Sequence, residues 1–111
     1  MKFKYVFIFL FILFNNFLSY SDDYSKMYNY ILKKDRNSIK RLLVKKGFDI
    51  NNTEYGSILE NALLSKDIEL AKLVLENGIN PNVYKTFPPI FLSIINKDIE
   101  AIKLLLPTFN D

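Results

Sequence analysis

Acid–base work in this chain would be sought at two carboxylate pairs, Asp67 with Glu69 and Asp98 with Glu100, where one member would give a proton and the other take it. The chain has no His and no Cys. Imidazole catalysis, thiolate attack, disulfides and the common zinc donor sets are therefore closed to it. Both pairs sit in one phrase said twice, 31 residues apart: Lys66-Asp67-Ile68-Glu69-Leu70-Ala71-Lys72-Leu73-Val74-Leu75 and Lys97-Asp98-Ile99-Glu100-Ala101-Ile102-Lys103-Leu104-Leu105-Leu106. A reacting pair is normally unique in a chain. Carboxylates that recur at helix starts cap the helix and complement its dipole. No catalytic residue, metal ligand or cofactor is assigned, and the chain is not expected to be an enzyme.

The elements that carry these residues follow from the same period. Seven of the ten positions in the two phrases are identical, and repetition at this spacing marks a small supersecondary unit that buries its apolar face only against its neighbours. Shifting back by the same interval places Gly47-Phe48-Asp49-Ile50-Asn51 under Gly78-Ile79-Asn80-Pro81-Asn82, and Leu42-Leu43-Val44 under Leu73-Val74-Leu75. The copies cover about 24–52, 53–83 and 84–111. In the second copy, Ile58, Leu59, Ala62, Leu63 and Leu64 predict a short helix, and Asp67 caps a second with Leu70, Leu73 and Val74 inward. Gly78 ends that helix in the left-handed conformation, whereas Gly56 is expected in a more tolerant loop. The third copy opens with Pro88-Pro89, caps its second helix with Asp98, and is expected to halt at Pro107. In the first copy the apolar faces are Met27, Tyr28, Ile31 and Leu32, then Ile39, Leu42, Leu43 and Val44.

Composition is that of a single globular domain, half apolar and about a quarter charged. Met1–Ser21 predicts a signal peptide: Lys2 and Lys4 lead a ten-residue apolar run, Tyr5 to Phe14, and Ser19 and Ser21 suit cleavage before Asp22. That run is short of the roughly 20 residues a membrane-spanning helix needs, which leaves an uncleaved anchor as the alternative. Without Lys2 and Lys4 the net charge of +3 falls to +1. So near a balance offers little for tracking phosphates, and nucleic acid is not expected as a partner. Many Lys, Ile and Asn beside only two Arg suggest an AT-rich genome and a bacterial exported protein, periplasmic or secreted.

Across 24–106 this pattern resembles the ankyrin repeat. The second helices, the Gly-x-Asp/Asn-x-Asn exits and Pro89-Ile90 carry the resemblance. Glu60 and Phe91 stand where the family has His, and Lys66 and Lys97 where it has Gly. The resemblance implies an all-α solenoid of three helix-turn-helix repeats joined by short hairpin-like loops. It also implies a concave surface that binds another protein, lined here by Thr53, Glu54, Tyr55 and Gly56, by Tyr84, Lys85, Thr86 and Phe87, and by Lys33-Lys34, Leu64-Ser65 and Ile95-Asn96. Leu64 and Ile95 are equally placed to be core residues, and Phe87 to pack beneath the Pro88-Pro89 turn. The expected function is an exported adaptor or inhibitor that takes no small-molecule substrate. The alternative is a degenerate or membrane-tethered remnant of a longer array.

Overall fold

The computed structural model describes residues 22–109, together with Val6, Ile8 and Leu10. The expected cleavage site and nearly all of the leader lie outside the described residues. Six helices follow in order: α1 (Asp23–Lys33), α2 (Arg36–Leu43), α3 (Ile58–Leu64), α4 (Ile68–Glu76), α5 (Pro89–Ile95) and α6 (Ile99–Phe109). Successive pairs pack as antiparallel hairpins, and the hairpins stack. This is the expected ankyrin-like, all-helical repeat architecture. Among the described residues the connecting loops form no strand, only an isolated bridge between Glu54 and Gly56.

Local chemistry fixes each helix boundary. Asp22 accepts from Ser25 N at 2.7 Å, Asp67 from Leu70 N at 3.1 Å and Asp98 from Ala101 N at 3.1 Å. Each first helix ends in a residue with positive φ, followed at once by an Asp whose N–H reaches back to the helix. Asp35 N donates to Tyr30 O, Asp67 N to Ala62 O and Asp98 N to Ser93 O, at 2.9, 2.8 and 3.0 Å. The positive-φ residues are Lys34, Lys66 and Lys97 (φ 56°, 57° and 53°). A side chain held there costs about 1–2 kcal/mol that glycine would avoid. Fully buried Ile31, Ile39, Leu59, Leu70, Val74 and Leu105 form one core that runs through all three repeats.

Three sequence expectations are corrected. Val44 is 81% exposed because Ile39 and Leu42 occupy the buried sites that Ala71 and Val74 fill in the next repeat, an offset of 32 rather than 31. One extra residue before Gly47 turns Val44 outward. Pro107 does not stop the last helix, which continues to Phe109 with Thr108 Oγ1 donating to Leu105 O at 2.6 Å. Gly56 is no more tolerant than Gly78, since both take positive φ (83° and 88°). A Cβ at Gly56 would also lie 3.3 Å from the Asn61 amide, whereas one at Gly78 meets nothing. Gly56→Val is therefore expected to lower the urea midpoint at least as far as Gly78→Val, each losing about 1–2 kcal/mol of stability from the left-handed conformation alone. A Gly56→Val midpoint equal to that of the wild type would refute this.

Neighbouring repeats are stitched at both ends. Arg36 Nη2 holds both carboxylate oxygens of Asp67 at 2.7 Å, and Asn51 Oδ1 accepts from Asn80 N at 2.7 Å. The exits match in detail: Asp49 accepts from Asn51 N, and Asn80 from Asn82 N, both at 2.9 Å. Helix α3 packs firmly on both α1 and α5, while α4 and α6 touch more lightly. The first helices therefore lie on the inner side of the stack's curve.

Candidate binding surface

The inner side is organised around Glu60, which the sequence marked only as a departure from the family's His. Ser57 and Glu60 form a reciprocal capping box at the start of α3: Ser57 N donates to Glu60 Oε1 and Glu60 N to Ser57 Oγ, both at 2.9 Å. The same carboxylate also accepts from the following loop: from Lys85 N at 2.6 Å, Thr86 N at 3.1 Å and Phe87 N at 3.4 Å. Glu60 is 3% exposed. Burial by itself pushes its carboxyl up, but the N–H groups of Ser57, Lys85, Thr86 and Phe87 outweigh that and hold it below the ordinary glutamate range. Lys85 Nζ then donates to Glu54 O at 2.7 Å, tying this loop to the one before it.

These ties set two aromatic pairs on either side of Glu60. Tyr55 stacks on Tyr28 with ring centroids 6.1 Å apart, and Phe87 tilts against Phe91 at 5.7 Å. Between them lies a groove of about 540 Å³ lined by Tyr28, Glu54, Tyr55, Leu64, Lys85 and Phe87. Tyr28 was not expected as a lining residue, nor Phe91 as the ring partner of Phe87. The usable signal was positional, because Tyr28, Glu60 and Phe91 hold the same place on the three first helices.

The other expected residues are placed as follows. Glu54, Tyr55, Lys85, Thr86 and Phe87 come together at the groove, and Gly56 forms part of its wall. Phe87 is 45% exposed beside Phe91 rather than packed away under the prolines. Tyr84 stands apart, in a cleft of about 40 Å³ with Pro81, Pro88 and Leu105. Thr53 is half-buried and its carbonyl accepts from Gly56 N at 3.0 Å, closing the loop turn. Ser65 is half-buried and its hydroxyl donates to Asn61 O at 2.7 Å, within its own helix end. Asn96 is exposed at the end of α5. Lys33 and Lys34 are exposed at the end of α1. Leu64 and Ile95, open between core and groove from the sequence, are 59% and 56% exposed, and Leu32, expected on an apolar inner face, is 60% exposed. Among the described residues no three His, Cys, Asp or Glu side chains gather as metal ligands. With both Glu60 oxygens occupied by backbone N–H groups, what this surface offers is shape, apolar area and rim charge.

Comparison with known proteins gives two relatives. The chain is 34% identical over 68 residues, 60% of its length, to a protein named as an ankyrin repeat protein in fowlpox virus (strain NVSL). It is 34% identical over 91 residues, 78% of its length, to one so named in Acanthamoeba polyphaga mimivirus. It spans only 9% and 12% of those proteins. No family model matches the chain, and no solved structure does. The two similarities support ankyrin repeats in this chain.

Proposed function

We propose that the chain is an exported protein–protein interaction module, an adaptor or inhibitor that grips another protein in the groove of its first helices and performs no reaction of its own. The observation that carries this is the pair of aromatic contacts, each between a loop residue and a first helix, Tyr55 on Tyr28 and Phe87 on Phe91, with the Phe87 loop braced by Glu60 and tied to the Tyr55 loop through Lys85. Braced loops lose little freedom on binding, and aromatic side chains dominate interface energies. The likeness to viral proteins named as ankyrin repeat proteins supports the same reading.

The test uses the full chain as bait and compares variants. Tyr55→Ala and Phe87→Ala are each expected to weaken partner capture by about 1 kcal/mol or more. Tyr84→Ala, in its separate cleft, and Lys72→Ala, on the second-helix side, are expected to leave capture unchanged. A partner held equally well by Tyr55→Ala and Phe87→Ala would remove the groove from the proposal.

Export rests on the leader. Among the described residues no helix is long and apolar enough to cross a membrane. Cleavage after Ser21 would leave the Asp22 cap of α1 whole. N-terminal sequencing of exported protein is expected to begin at or near Asp22, and a chain beginning at Met1 in the membrane fraction would favour the tethered alternative.

A further inference from the structure

The turn from first to second helix repeats one pattern three times: Leu32-Lys33-Lys34-Asp35, Leu64-Ser65-Lys66-Asp67 and Ile95-Asn96-Lys97-Asp98. The aliphatic residue that opens each pattern is more than half exposed. Each third residue is an exposed lysine at positive φ. A glycine there would be unstrained, so the backbone conformation does not itself call for lysine. Strain kept at one site in every repeat points to a use for the side chain. None of the three lysines is in an ion pair among the described residues. The aspartates beside them are turned to helix starts, Asp35 to Ser38, Asp67 to Leu70 and Arg36, and Asp98 to Ala101. One edge of the inner face therefore carries an aliphatic ladder alongside a row of free cations.

We infer that this edge docks an acidic amphipathic segment of the partner protein, its apolar side chains on Leu32, Leu64 and Ile95 and its carboxylates against Lys34, Lys66 and Lys97. This rests on the interaction reading above and names the chemistry of the partner. A flat anionic membrane suits the edge less well, because Leu64 opens into a concave groove lined by Tyr55 and Phe87.

The probe is a synthetic amphipathic helical peptide with Glu on its polar face, and its control carries Lys in place of Glu. The full chain is expected to bind the Glu peptide, more weakly as salt rises, and to ignore the Lys peptide. The triple change Lys34→Gly, Lys66→Gly and Lys97→Gly is expected to weaken binding about tenfold or more, while the thermal midpoint holds or rises as strain is relieved. Asn at the same three positions, which also tolerates positive φ, must reproduce the loss. Equal binding of the two peptides, unchanged affinity in both triple variants, or lysine-dependent capture by phosphatidylglycerol vesicles with no peptide binding would each overturn the inference. Should a natural partner be lost with Phe87→Ala yet kept by both triple variants, the inference falls and the interaction module stands.

Discussion

Leu59→Ala is expected to cost about 2–5 kcal/mol, because it empties a fully buried site on the helix that packs against three others. At about 0.05–0.15 kcal/mol per residue, the roughly 90 repeat residues hold about 4–13 kcal/mol in all. A single methyl-to-isobutyl difference thus takes a large share of the total. In a stack each repeat is stabilised through its neighbours, so damage to α3 loosens the first and third repeats as well. Leu64→Ala, five residues on in the same helix and mostly exposed, is expected to stay within about 0.5 kcal/mol. Urea melts of the two variants decide the matter. Equal losses would mean that the assigned inward face of α3 is wrong.

Glu60→Gln is expected to lose about 2 kcal/mol, since it keeps the shape but turns a charged acceptor into a neutral one and points an NH₂ group at N–H donors. The loop at 85–87 should loosen with it, and amide exchange at Lys85 and Thr86 should quicken well beyond that at Leu70. The loss depends on pH. A carboxyl whose folded pKa is depressed stabilises the protein fully above its unfolded value, here the ordinary 4.5, and that contribution fades as pH falls through the lower folded pKa. The gap between wild type and Glu60→Gln should therefore be full at pH 7 and shrink progressively below about pH 4.5. A gap that stayed constant down to pH 3 would show that the wild-type carboxylate is not what holds the loop.

Most of what acts within a turn or so of chain was legible in the residues themselves, Pro107 and Gly56 excepted. The aspartates at 67 and 98 cap helices because the N–H groups they satisfy lie three residues on, and Gly78 ends a helix because its own φ must be positive. Repetition of those local signals declared the number of units and their stacking. Periodicity placed most of the inward residues, Leu59, Leu70 and Val74 among them, but the edges of each apolar face were settled only by packing. Leu63 and Leu64 are adjacent and alike, yet one is 4% and the other 59% exposed, because only one meets a neighbouring repeat. A one-residue difference in spacing likewise sent Val44 to solvent: the Asp35 cap lies 32 residues before Asp67 while Gly47 lies 31 before Gly78, so the first repeat's second helix is set one residue earlier than its exit implies. The candidate site follows the same rule: Tyr55 finds Tyr28, and Glu60 finds the Lys85 N–H, across 27 and 25 residues of chain. Such contacts depend on how one repeat sets against the next, and that geometry emerges only once the stack has closed.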